Sequence, residues 1–122
     1  MIKGLGVDIA EIDRVRKIYG RHPRFADKIL TSEEMAVFLT KKTEKAQMTY
    51  LTGRFSAKES FTKAMGTGLG KIGFHDLSVL NYESGQPYIK TDIFEGNIQI
   101  SISDTDELVI TEVIIEDVNK PE

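Results

Sequence analysis

Residues 53–68 read GRFSAKESFTKAMGTG, a stretch that begins as a helix and stops on glycines. Its reading divides the chain. Apolar spacing that reaches back through Leu51 predicts one long helix from about Glu44 to Met65, ended by Gly66-Thr67-Gly68. At about 100° per residue, Leu51, Phe55, Phe61, Ala64 and Met65 form a broad apolar arc. Arg54 and Lys58 fall inside that arc, one turn apart. Like charges there repel, and desolvating either without a partner is costly. Two readings stay open: an anion that neutralises both, or snorkelling stems with their heads in water. Glu59 and Lys63, on the flank, fit a surface ion pair or a site. Gly66, Gly68 and Gly70 suit either a helix stop or a loop where backbone comes close to a ligand.

Upstream of this helix, Ile2, Leu5, Val7 and Ile9 predict a strand over about 2–9. EIDRVRKIYG at 11–20 places Ile12, Val15, Ile18 and Tyr19 at helical spacing and ends in Gly20. A short helical piece follows Pro23 and ends near Leu30. Thr31, with Glu34 three residues on, reads as the N-cap of a further helix through about Leu39. Downstream the period changes. DLSVLNY and YIK, joined by ESGQP, predict a hairpin. NIQISIS and ELVITEVIIE alternate apolar and polar across a turn at Asp104-Thr105-Asp106. Strand, helices, then three or four strands predict a single α+β domain over 1–122 with a mainly antiparallel sheet. The tail DVNKPE is expected to fray.

The 122 residues include no cysteine and two isolated histidines, His22 and His75, so disulfides and thiolate metal sites are excluded and zinc is disfavoured. No run is long and apolar enough to span a membrane, and the N-terminus lacks a signal-peptide pattern, so a cytoplasmic protein is expected. The net charge of -3 is unevenly laid out. Residues 1–75 carry 14 basic and 8 acidic side chains, a balance of +6, and residues 76–122 carry 2 and 11, a balance of -9. This polarity fits an anionic partner on the N-terminal half, or an uneven solvated surface.

Asp8, in GLGVD at 4–8, interrupts an apolar strand, so its carboxylate is turned to solvent or used. Asp8 and Glu59 together suit Mg²⁺, which commonly takes one or two carboxylates and completes its sphere with water and substrate phosphates. GVD at 6–8 and FSAKESFTK at 55–63 resemble the signature pair of the 4′-phosphopantetheinyl transferases. The length, the spacing and AMGTGLGK at 64–71 resemble the short bacterial type, the holo-[acyl-carrier-protein] synthases, over almost the whole chain.

The resemblance implies transfer of the 4′-phosphopantetheine arm of coenzyme A to a serine of apo-acyl carrier protein, releasing adenosine 3′,5′-bisphosphate. It implies Mg²⁺ held by Asp8 and Glu59, and Lys63 on the phosphate under attack. Glu59, or a water it orients, would take the serine proton. Contacts to coenzyme A are expected from Lys45, Arg54, Lys58, Lys63, Gly66, Gly68, Pro87 and Asp104. It implies a homotrimer with active sites between subunits. Acyl carrier proteins of this type are acidic, and residues 13–28 have a local balance of +4. Arg14, Ile18, Arg21, Arg24 and Phe25 are the expected docking surface. Where the family commonly ends a strand in Ser-His, this chain has Ser103-Asp104. That departure keeps a second reading alive, a non-catalytic homologue that binds carrier protein or nucleotide. A nucleic-acid module fits poorly, since there is no aromatic-rich basic sheet.

Overall fold

The computed structural model describes residues 1–66 and 71–118. The chain opens with β1 (Ile2–Glu11), passes through α1 (Ile12–Arg21), α2 (Phe25–Ile29) and α3 (Ser32–Phe38), and enters the long α4 (Glu44–Met65). After a short 3₁₀ turn at Phe74–Asp76 come β2 (Leu77–Asn81), β3 (Pro87–Thr91), β4 (Asn97–Asp104) and β5 (Leu108–Glu116). β1, β5 and β4 form an antiparallel sheet in that order, and β2 and β3 form a separate hairpin. The α+β expectation therefore stands, with two sheets in place of one. The last strand in sequence is the central one of its sheet, pairing Asp8 opposite Thr111 on one side and Ser101 opposite Glu112 on the other.

Local chemistry sets the helix ends. Thr31 N–H donates to Glu34 Oε1 at 2.9 Å, and Glu34 N–H donates to Thr31 Oγ1 at 3.4 Å, closing the expected capping box. The Thr43 hydroxyl accepts from Ala46 N–H at 3.0 Å and starts α4. Gly66, at φ 76°, ends α4 in the left-handed region that favours glycine. Gly68, Gly70 and the final four residues of the chain lie outside the described residues.

α4 is enclosed on most sides. One side packs on β1 and β5, and another meets the smaller helices and β2. Ile12, Ile29, Phe38, Met48, Leu51 and Val109 form one apolar cluster, and Phe61, Leu77, Val113 and Ile115 a second. The face of β1 turned to α4 is made of Gly4, Gly6 and Asp8, while Leu5, Val7 and Ile9 point away from it and are about half exposed. The inversion has a steric cause. A Cβ on Gly6 would stand 1.8 Å from the Ser60 carbonyl oxygen, and one on Gly4 1.9 Å from that of Ala64. Only glycine lets the strand lie this close to the helix backbone.

Candidate active site

Asp8 follows Gly4 and Gly6 on the inner face of β1 and is therefore carried against α4. Its Oδ2 accepts from the buried Ser56 hydroxyl at 2.8 Å, and its Oδ1 lies 3.4 Å from Lys63 Nζ. Lys63 Nζ also donates to the Val7 carbonyl at 3.0 Å. Glu59, one turn before Lys63, lines the same cavity as Asp8. Burial pushes the Glu59 carboxyl above the usual carboxylate range, and the negative charge of Asp8 adds to that, while Lys63 opposes it. Two carboxylates whose charges oppose each other at one cavity are a donor set that a cation relieves. Among the described residues no cluster of three or more His, Cys, Asp or Glu side chains could hold a metal ion. The pair thus suits an ion whose sphere is completed by water and phosphate oxygens, as is usual for Mg²⁺.

The cavity is about 440 Å³ and runs from Asp8 and Glu59 to α1 and α2, where Arg14, Val15, Ile18, Phe25 and Phe55 line it. Of the expected docking residues, Arg14, Ile18 and Phe25 thus border the carboxylates. Arg21 and Arg24 are exposed beyond them. Phe25 packs edge-on against Phe55 with ring centroids 6.0 Å apart, which seats α2 on the residue four before Glu59.

A second cavity of about 430 Å³ gathers Lys45, Arg54 and Asp104 with Lys41, Thr43 and Tyr50. Arg54 donates Nε–H to the Val79 carbonyl at 3.2 Å and an NH₂ proton to Asn81 Oδ1, and its guanidinium lies 4.1 Å from the Tyr50 ring centroid. These contacts leave further guanidinium donors for an anion. Lys45 is held by Asp106 at 2.5 Å, which keeps the Asp106 carboxyl below the usual range. Lys41, 5.4 Å above the Tyr50 ring, and Thr43 were not legible as site residues, because only the end of β4 folding against the start of α4 creates this cavity. Pro87 lines neither cavity; it opens β3 opposite Asn81, the residue that holds Arg54.

Lys58 corrects the expectation of a coenzyme A contact. Its side chain is wholly buried, and its three ammonium protons go to Glu34 Oε1 at 2.6 Å, the Ile29 carbonyl at 2.7 Å and the Phe74 carbonyl at 2.8 Å. No donor is left for phosphate. Burial lowers the lysine's pKa and Glu34 works against that shift. The snorkelling alternative fails too, since the head does not reach water. Glu34 has a second function beyond its cap: its Oε2 accepts from Val79 N–H at 2.7 Å. His75 Nε2 lies 2.7 Å from the Asp27 carbonyl, a packing contact.

The family model described as the 4′-phosphopantetheinyl transferase superfamily matches residues 4–114, so the chain belongs to that superfamily. Its curated relatives narrow the assignment. The holo-[acyl-carrier-protein] synthase of Streptococcus uberis is 49% identical over 117 residues, covering 96% of this chain and 98% of that one. The synthase of Latilactobacillus sakei subsp. sakei is 47% identical over 116 residues, covering 95% and 98%. Among solved structures, the holo-(acyl-carrier-protein) synthase of Bacillus anthracis str. Ames in complex with coenzyme A (3′,5′-ADP) superposes with a TM-score of 0.90 at 36% identity, covering 97% of this chain and 99% of that one. Within the superfamily, the chain falls among the holo-[acyl-carrier-protein] synthases.

Proposed function

We propose that this protein transfers the 4′-phosphopantetheine arm of coenzyme A to a serine of apo-acyl carrier protein and releases adenosine 3′,5′-bisphosphate. The observation that carries the reading is one cavity lined by Asp8 and Glu59 together with Arg14, Ile18 and Phe25, with the Lys63 ammonium 3.4 Å from Asp8 Oδ1. A carrier seated on α1 and α2 would present its serine to the carboxylates. The serine oxygen forms a bond to the pantetheine-bearing phosphorus, and the bond from that phosphorus to the bridging oxygen breaks. Positioning and neutralisation of charge supply most of the catalysis in such a transfer.

Asp8 and Glu59 would hold Mg²⁺, which when bound neutralises phosphate charge and polarises the non-bridging oxygens. Lys63 commits one proton to Val7 and one toward Asp8, and keeps a third for the phosphate under attack. Glu59, or a water it orients, would accept the serine proton. Lys45 and Arg54 would bind the outer phosphates of coenzyme A.

The expected metal carboxylates, Asp8 and Glu59, line one cavity of the chain, and the expected coenzyme A ligands Lys45 and Arg54 line another. Leu5, Val7, Ile9 and Ile110 leave an apolar outer face on the sheet. Both features suit a homotrimer in which each site is completed by a neighbouring copy, and an apolar face of this kind ordinarily marks an interface. The carrier protein of fatty acid biosynthesis is the expected substrate. Mass spectrometry of apo-acyl carrier protein incubated with coenzyme A, Mg²⁺ and this protein tests the reading. A gain of one phosphopantetheine is expected. Unmodified carrier that nonetheless co-elutes with the protein would establish a non-catalytic binder.

A further inference from the structure

We propose that Ser60, Thr111 and Ser56 form a hydroxyl relay that presets the Asp8 carboxylate for a divalent cation, making Ser56 a positioning residue for the transfer. The inference rests on the reading that Asp8 helps hold Mg²⁺.

The relay is directional. A serine or threonine hydroxyl has one proton to give. Ser56 gives its proton to Asp8 Oδ2 at 2.8 Å. The 2.9 Å contact between Ser56 and Thr111 must then run from Thr111 to Ser56. Thr111 has no proton left, so Ser60 is the donor in the 2.6 Å contact between them, and it shares that proton with the Thr111 carbonyl, which accepts at 3.2 Å. The Thr111 and Ser56 protons both point toward Asp8, and Asp8 is where the row ends.

Ser56, Ser60 and Thr111 are all wholly buried. Thr111 sits on the inner face of β5 between Val109 and Val113, both also fully buried. Valine has nearly the shape of threonine, and Ala57 shows that α4 accepts alanine in a buried position. Three hydroxyls in an apolar seam are therefore unnecessary for packing. What they supply is a fixed orientation for the one carboxylate they reach.

The register of strand on helix explains how the contact forms. Gly4 meets Ala64 and Gly6 meets Ser60, backbone against backbone. Two residues along a strand advance about 6.6 Å and four along a helix about 6 Å, so the two elements keep step. The next pair in the row is Asp8 and Ser56. Asp8 consequently offers its Oδ2 to the relay and turns its Oδ1 toward Lys63.

Partners that orient a metal ligand typically change metal affinity or activity by about 10–100-fold when removed. The test is a calorimetric Mg²⁺ titration of the coenzyme A-loaded protein, with kcat and the Mg²⁺ concentration for half-maximal rate measured beside it. Ser56→Ala is expected to weaken Mg²⁺ roughly tenfold and Thr111→Val several-fold, with Thr111→Ser restoring the unaltered affinity. Ser56→Cys, nearly isosteric and a weak donor, should fall between the unaltered protein and Ser56→Ala, and serves if the alanine variant does not fold. Melting curves separate folding from binding. Mg²⁺ affinity unchanged in the folded Ser56 variants, or Thr111→Ser as weak as Thr111→Val, would overturn the relay alone. Absence of a Mg²⁺ signal in the unaltered protein would overturn the metal reading and the relay with it.

Discussion

Replacing Lys58 by methionine separates two accounts of the signature helix. If Lys58 met a phosphate of coenzyme A, losing it would weaken substrate binding and leave the fold intact. The geometry says the reverse. Lys58 joins α4 to the ends of α2 and the 3₁₀ turn through the Ile29 and Phe74 carbonyls, and to α3 through Glu34. Methionine fills similar space but leaves both carbonyls and one carboxylate oxygen short of a donor. Breaking a buried pair from one side costs about 3–5 kcal/mol. Glu34 retains the Thr31 and Val79 N–H donors, so the lower end of that range is expected. At roughly 3–5 °C per kcal/mol for a domain of this size, the melting temperature should fall by about 10–15 °C. The double variant Lys58→Met, Glu34→Leu should not recover it, because the Thr31 and Val79 amides then lose their acceptor as well. Thermal melts at one fixed protein concentration, paired with coenzyme A affinity below the melting range, decide the matter. A loss under about 1 kcal/mol, accompanied by a clear rise in the Kd for coenzyme A, would refute the structural account.

The remaining expectations concern the strand, the docking face and the second cavity. Gly6→Ala forces a Cβ into the Ser60 carbonyl oxygen, which is backbone and cannot swing aside; a loss of about 1–3 kcal/mol or more and a weakened Asp8 site are expected by denaturant melting and Mg²⁺ titration. Arg14→Glu and Arg21→Glu should raise the KM for acyl carrier protein with little change for coenzyme A, and carrier binding by the unaltered protein should weaken with salt, since exposed charges are screened. Salt-independent binding would count against this face. Asp104→His should tighten coenzyme A several-fold, since a carboxylate beside Lys45 and Arg54 repels phosphate by about 1 kcal/mol where water screens it. Equal affinities, by titration of both proteins, would leave Asp104 as strand-end chemistry alone.

Much of the fold was legible because its causes are local. The Thr31–Glu34 capping box, the glycine that ends α4, and the alternation of β4 and β5 each depend on residues a few positions apart. GVD and FSAKE, each a short local pattern, pointed to Asp8 and Glu59 as partners, and these do share a cavity. Tertiary structure decided what the buried polar residues of α4 do. The helix is enclosed on most sides, so its own periodicity could not say which polar side chain faces water. Lys58 finds Glu34 at 24 positions' remove, and Ser56 finds Thr111 at 55. The first meeting follows from α3 packing on α4, and the second from the antiparallel pairing of β1 with β5 and from two glycines that let β1 touch α4. A charged residue within an apolar arc looks the same in sequence whether it binds a ligand, snorkels or closes a network. The difference lies in whether distant chain delivers enough acceptors to hold each of its protons, and only the assembled fold delivers them.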